Sequence, residues 1–351
     1  MLNMKRSYSF ISYGSAETIT GISCMKYSCF VYQPGIHFTI PSEYQHIKQL
    51  LCYFAHIDEN SHIAPHKSIF VETENTDTAD FFLFPFDMKN FSDISLQSAY
   101  RDIIRSLPFY QGNEKRHIIF DTGDSCTVID TPCCLFKVSL SEEDKGRAVV
   151  LPYTVPDFIL QEKPEFNFSH IKYDISFVGN VTHPFRKLAC SSIQLNKQVK
   201  SKIDIDSSVK IVRDQNSIVV HHEEHDEKYQ QIRQMKYLYA SKNSRMVLCP
   251  PGVGPQSIRM YETMYLGRIP ILFDVNVLYP FQDEIDYETF TYTISKDDSK
   301  NIGDAIFSYI HSHTVQELDE KCIYAHKIWR TWFSDAVLPQ KLMERASILN
   351  R

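Results

Sequence analysis

Two α/β domains of Rossmann-like build, each a parallel sheet flanked by helices and the pair facing a central cleft, are what the sequence predicts. Three observations carry that prediction. Short apolar runs alternate with amphipathic stretches through most of the chain, the pattern of strands joined by crossover helices. The 351 residues, 43% of them apolar, supply cores for two ordinary domains and exclude one small stapled module. A Pro-containing stretch, Leu151 to Pro164, interrupts the alternation and reads as a crossover near residue 160. The expected division is therefore 1–160, 161–325 and a terminal helical piece, 326–351, that packs back on the first domain.

In the first half, Glu43 to His56 spaces its apolar residues like a helix. Asp80-Phe-Phe-Leu-Phe-Pro-Phe86 reads as a buried strand and Leu96 to Leu107 as a helix. Strands follow at His117–Phe120, Leu135–Val138 and Ala148–Leu151. The second half is more regular, with strands at Asp174–Val178, Val209–Val212, Met246–Cys249 and Ile269–Phe273. Between them lie helices at Pro184–Asn196, Asp226–Ala240 and Gln256–Leu266. Asn301 to Asn350 is helical in pattern, and residues 1–40 show no clear period.

Composition narrows the function classes. Lys and Arg number 37 against 43 Asp and Glu, a formal charge of -6, so the chain as a whole has no footprint for nucleic acid. Aromatics at 13% and charged residues at 23% exclude a disordered chain. The nine cysteines are odd in number, scattered and mostly set in apolar runs, which reads as small buried side chains in a reducing compartment. Cys133-Cys134 is adjacent and not a CxxC. No signal peptide and no run of about 18 apolar residues is found, so the expectation is a cytoplasmic protein, peripheral at most at the inner face of a membrane. Lys327, Arg330, Lys341 and Arg345, among the aromatics of the last helix, suit an anionic membrane or a solvated face; packing is the reading taken for the aromatics.

Ligands of parallel sheets bind beyond the C-terminal ends of strands, so the residues just after each strand carry the candidates. After Asp174–Val178 come Gly179, where the backbone allows close approach, and Arg186 in the first turn of a helix that opens at Pro184. A helix N-terminus with an Arg beside it suits a phosphate, although a plain strand-to-helix turn looks the same. After Met246–Cys249 the loop Pro250-Pro-Gly-Val-Gly-Pro255 places Gly252 and Gly254 ahead of a helix bearing Ser257, Arg259 and Glu262. Arg259 and Glu262 share a helical face, which fits a cation for a diphosphate and a carboxylate for ribose, or equally an ordinary ion pair.

The run from Tyr239 to Leu272 resembles the signature of the exostosin-like glycosyltransferases. It has a Ser before a strand (Ser244), the strand ending Cys249-Pro-Pro-Gly252, then Ser257-x-Arg259-x-x-Glu262 and Gly267-Arg-Ile-Pro270. Asp80–Phe86, Lys115–Asp121, Phe177-Val-Gly179 with Arg186, and Tyr279-Pro-Phe281 are similar to further parts of that family, so the resemblance covers roughly 78 to 295. It implies a GT-B fold, a nucleotide-sugar donor held mainly by the second domain, UDP-linked as the first guess, and transfer with inversion to a glycan or glycolipid of a surface polysaccharide. It also implies that Arg186 and Arg259 hold the diphosphate, Glu262 the ribose, and Ser244, Gly252, Gly254, Ser257 and Gly179 the donor-facing surface. The lack of a signal anchor points to a bacterial or viral relative.

Inverting transfer needs a base, expected from the first domain at a strand end, where Asp87, Asp121 and Asp124 stand; each is also a residue that caps turns. No cofactor or essential metal is expected. Asp204-Ile-Asp206 has a DxD form but lies in the polar segment Lys200 to Lys210, read as a solvated loop, and His221-His-Glu-Glu-His225 lacks the HExxH order. Two Glu eight apart, the retaining pattern, are also missing, because Gly254 stands eight before Glu262. The competing readings are another GT-B activity such as an epimerase, and a catalytically silent nucleotide-sugar or glycan-binding partner of another transferase.

Overall fold

The computed structural model describes residues 27–32, 70–87, 94–181, 184–206, 209–214, 217–222, 227–252 and 254–349. The first sheet comprises β1 (Tyr27–Val31), β2 (Phe70–Glu72), β3 (Phe81–Asp87), β4 (His117–Asp121), β5 (Cys134–Lys137) and β6 (Val149–Val150). All its pairings are parallel, in the order β2-β1-β3-β4-β5-β6, and α1 (Ile94–Arg105) crosses from β3 to β4. Continuous apolar strands suit this sheet because both faces are covered. Phe82, Phe84, Ile119 and Leu135 pack on one side with Tyr100 and Ile104 of α1. Their strand neighbours Phe81, Leu83, Ile118 and Phe136 face the other side.

The second sheet comprises β7 (Tyr173–Asn180), β8 (Ser201–Asp206), β11 (Ser244–Leu248), β12 (Ile269–Phe273) and β13 (Tyr292–Ile294), again all parallel. Its order is β13-β12-β11-β7-β8, so the sequence order reverses between β7 and β11. After the short α2 (Asp157–Leu160), the helices α3 (Pro184–Leu195), α4 (Glu227–Lys242) and α5 (Ile258–Tyr265) follow β7, the hairpin of β9 (Val209–Asp214) and β10 (Ser217–His222), and β11, and α6 (Ile302–His311) and α7 (Val315–Ile328) complete the layer. Val178, Val247 and Leu272 join the same buried cluster as Phe81 and Ile118, so one core runs through both domains.

Polar contacts seal the seam. Leu278 N–H donates to the Leu140 carbonyl at 2.7 Å, and Asn276 accepts from Glu142 N–H at 3.2 Å. A π-helical turn, Trp329–Phe333, leads to α8 (Leu338–Leu349), which lies against β6 of the first sheet. Trp329 and Phe333 are buried. Lys341 sits 4.5 Å from the centre of the Trp332 ring, and Arg345 pairs with Glu284 at 2.5 Å and with Asp283. No helix among the described residues is long and apolar enough to cross a membrane.

The structure corrects two readings. Lys200–Lys210 is no solvated loop: Ser201–Asp206 is β8, an edge strand with Ile203 and Ile205 on one face and Asp204 and Asp206 on the other. The DxD carboxylates are committed to α4, Asp206 to Arg233 at 2.6 Å and Tyr229 at 3.1 Å, and Asp204 to Lys236 at 3.3 Å. The strand expected at Val209–Val212 does not enter the parallel sheet: β9 (Val209–Asp214) and β10 (Ser217–His222) pair with each other, antiparallel. Glu43–His56, Cys24, Cys52 and 223–225 lie outside the described residues, and His221 and His222 are placed only as backbone at the end of β10.

Among the described residues the remaining seven cysteines form no disulfide, all but Cys126 are buried, and burial pushes the thiols of Cys134, Cys249 and Cys322 up to about 12.

Candidate functional site

The site lies where the strand order reverses, the place at the C-terminal edge of a parallel sheet where ligands characteristically bind. Two guanidinium groups occupy it. Arg186, in the first turn of α3, donates through Nε to the Pro251 carbonyl at 2.9 Å and through Nη1 to Asn180 Oδ1 at 3.1 Å. Arg259, in the first turn of α5, donates through Nη2 to the Val178 carbonyl at 3.0 Å and lies 4.4 Å from the centre of the Phe177 ring. Its Nη1 is buried without a partner.

Among the described residues no carboxylate forms an ion pair with either group. Burial, and next the charge of Arg259, pull Arg186 down to about 10. Two half-buried like charges with spare donors and no ion-paired carboxylate among the described residues form a site that an anion would relieve.

The glycines make room for these groups. A Cβ on Gly179 would collide with Arg259 Nη2, and one on Gly252 would stand 2.8 Å from Arg186 Nη2. At Gly254 the approach is between domains: a Cβ there would lie 3.0 Å from both Cβ and the carbonyl oxygen of Asp124 and 3.1 Å from Ser139 Oγ. Ser257, 9% exposed, is the N-cap residue of α5 and makes no side-chain capping bond. Ser244 is not brought to this loop. It begins β11, at the opposite end from Cys249, is fully buried, and donates its hydroxyl to the Ala240 carbonyl at 2.7 Å. The run of a strand, about 3.3 Å per residue, separates it from the crevice.

Glu262 and Arg259 do not make the helical ion pair that their spacing allows. Glu262 is 6% exposed and accepts from Tyr237 Oη at 2.6 Å through Oε2. Burial pushes its carboxyl above the usual range, opposed by the Tyr237 bond and by Arg259, and burial also raises the Tyr237 hydroxyl. The native state therefore holds this proton to higher pH than the unfolded chain, whose Glu titrates near about 4.3. Stability from this group is complete below that value and is lost as pH rises through the native one. Glu262→Gln, which keeps an acceptor for Tyr237, is expected to melt above the wild type at neutral pH, with the gap closing toward pH ~4. A gap that ignores pH would show that ionisation of Glu262 is not its cause.

A cavity of about 610 Å³ opens from this loop toward the first domain. Its walls include Gly252, Gly254, Phe273, Asp274 and Lys296 on one side and Asp124 on the other. Of the three candidate bases, Asp87 is the last residue of β3, its backbone in register with Phe120. Asp121 is buried, its Oδ2 2.5 Å from Lys137 Nζ and its Oδ1 accepting from Gly123 N–H at 2.9 Å. Asp124 lines the cavity and accepts a hydrogen bond from Tyr153 Oη. Lys137, Ser139, Tyr153 and Gln256 were not read as site residues from the sequence. Gln256 stands inside the matched motif, but its partner Val138 is 118 residues away and no local pattern joins them.

A probable glycosyltransferase of Arabidopsis thaliana, At5g03795, is 30% identical over 70 residues, 20% of this chain and 14% of the relative. A second, At3g07620, is 33% identical over 61 residues, 17% of this chain and 13% of the relative. The matches thus span a small part of those proteins. Among solved structures, HepE of Anabaena in complex with UDP-glucose is 10% identical at a TM-score of 0.42, covering 77% of this chain and 79% of that one. Sucrose-phosphate synthase of Thermosynechococcus elongatus is 9% identical at 0.40, covering 77% and 73%. The Exostosin GT47 domain matches residues 24–309, most of the chain, and the protein belongs to that family.

Proposed function

We propose that the protein is an inverting glycosyltransferase, moving a sugar from a nucleotide-sugar donor to a glycan or glycolipid acceptor. The observation that carries this reading is the pair of half-buried guanidiniums, Arg186 and Arg259, at the sheet's switch point, with no ion-paired carboxylate among the described residues and with Nη1 of Arg259 buried and unbonded. On this reading they bind the donor diphosphate, and the N-terminus of α5 adds its dipole to the same charge. As the glycosidic bond to the leaving nucleoside diphosphate breaks, negative charge grows on the phosphate oxygens, and fixed guanidiniums stabilise it without a metal. Asp124 takes the proton of the acceptor hydroxyl, because it faces the cavity while Asp121 is tied to Lys137. Glu262 is the candidate for the ribose, held in place by Tyr237.

A panel of UDP, GDP, CMP and dTDP and their sugar conjugates, followed by thermal shift, tests the donor site, since a ligand of the folded state raises Tm. A UDP-sugar is the first to try. Arg259→Ala is expected to weaken the nucleotide that binds by about 10–100-fold, the loss of one or two charge-assisted hydrogen bonds. Arg259→Lys is not expected to restore it, because a compact ammonium lacks the planar fork that lies on Phe177, bonds the Val178 carbonyl through one nitrogen and aims a second nitrogen elsewhere. Undiminished nucleotide binding by Arg259→Ala would overturn the assignment.

A further inference from the structure

We propose that Gln256 is a positioning residue that ties the donor-binding helix to the first domain and so sets the distance between the donor arginines and Asp124; this rests on the transferase reading above. Gln256 immediately precedes the Ser257 N-cap of α5 and is 3% exposed. Its Nε2 donates across the seam to the Val138 carbonyl at 3.0 Å, and its Oε1 accepts from Tyr261 Oη at 2.9 Å. The one amide therefore joins the extension of β5 to the second turn of α5. Arg259 lies between the two α5-side contacts, three residues beyond Gln256.

The flanking contacts show why this tie controls spacing. Two residues before Gln256, Gly254 packs flush against the Asp124 backbone and Ser139, and Ser139 directly follows Val138. A shift of the seam would move Asp124 and the Pro251–Gly254 loop apart, and with that loop the carbonyl that anchors Arg186. Buried amide bonds of this kind define one arrangement because both partners lose their solvation if the seam opens. Of the other bonds toward the first domain, Leu278 to Leu140 is made from a loop without a site arginine, and Tyr265 Oη, which donates to the Leu160 carbonyl at 2.8 Å, stands at the far end of α5 from Gln256.

The full chain tests this with Gln256→Leu and Gln256→Glu. In the absence of ligand, amide exchange in peptides spanning 122–128 and 252–257 is expected to quicken in Gln256→Leu; unchanged exchange in both overturns the proposal. With the nucleoside diphosphate that stabilises the wild type, binding is expected to stay within about threefold while turnover of its sugar conjugate falls about tenfold. Equal losses of binding and turnover would mark Gln256 as a support of the donor site alone and overturn the positioning role. Gln256→Glu guards against misfolding of the Leu variant. Its acid form can donate to the Val138 carbonyl and its carboxylate cannot, so relative to the wild type its turnover is expected to recover as pH falls, and a flat ratio counts against the proposal. If no nucleotide binds the wild type, the transferase reading fails and the exchange experiment alone judges the tie.

Discussion

Asp124→Asn is expected to lower turnover by about 10²–10⁴-fold and to leave nucleotide binding at its wild-type strength. The amide keeps an oxygen for the Tyr153 hydroxyl, so the geometry at the cavity wall is retained and only the capacity to take a proton is removed. Binding is expected to persist because both arginines and their carbonyl anchors belong to the second domain. Tyr153 is part of the argument: its hydroxyl fixes one carboxylate oxygen, which holds the side chain toward the cleft instead of into a local turn. Steady-state turnover of the sugar conjugate together with calorimetric titration of the nucleotide reads both quantities. Turnover within a few-fold of wild type would remove Asp124 from the role of base and direct attention to Asp87 at the end of β3. A parallel loss of nucleotide binding would place Asp124 in the donor site instead.

Lys137→Met is the change with the largest expected effect on stability, a loss of about 3–5 kcal/mol. Lys137 is fully buried, and its ammonium is 2.5 Å from Asp121, itself nearly buried. Removing the cation leaves a carboxylate in the interior without the charge that balances it, and a buried charge that has lost its counter-charge costs far more than the pair contributes. For a cooperative unit of 150–250 residues that loss corresponds to a fall in Tm of roughly 6–20 °C. The double variant Lys137→Met with Asp121→Asn is expected to recover much of it, because the uncompensated charge is gone. Denaturant unfolding of the two variants and the wild type settles the matter; a loss under about 1 kcal/mol for the single variant would mean that Asp121 is hydrated or neutral in the native protein. The same experiment separates Asp121 from Asp124, since the first is expected to move stability and the second turnover.

The elements that periodicity placed are those whose period is strong and whose neighbours are local. Buried runs such as His117-Ile-Ile-Phe and Ile269-Pro-Ile-Leu-Phe read as strands and are strands, since a parallel strand covered on both faces must be apolar throughout. Tyr27–Val31 carries Ser28 and Cys29 and is short, so its place in the middle of the first sheet depends on β2 and β3 pairing with it, which no local pattern contains. The polar run Ser201–Asp206 reads as a loop for the reciprocal reason: its carboxylates are answered by Tyr229, Arg233 and Lys236 of α4, far along the chain, and only that packing and the register with β7 identify it as a strand. The single helical stretch expected from 301 to 350 is divided by the Thr314–Glu317 capping box and by the π-helical turn at Trp329.

By itself the sequence determined the fold class, the family signature and the loops that follow β7 and β11, because each depends on residue types at short spacing. Gly179, Arg186, Gly252, Arg259 and Glu262 were all legible in that way. Only the tertiary structure decided which groups act together. It gave Glu262 to Tyr237 and not to Arg259, left the two guanidiniums without an ion-paired carboxylate among the described residues, sent Ser244 to the far end of its strand and closed Asp121 onto Lys137. The physical reason is the same in each case. Burial makes every charge and hydrogen bond depend on its nearest partner, and in a two-domain fold that partner lies in a distant part of the chain.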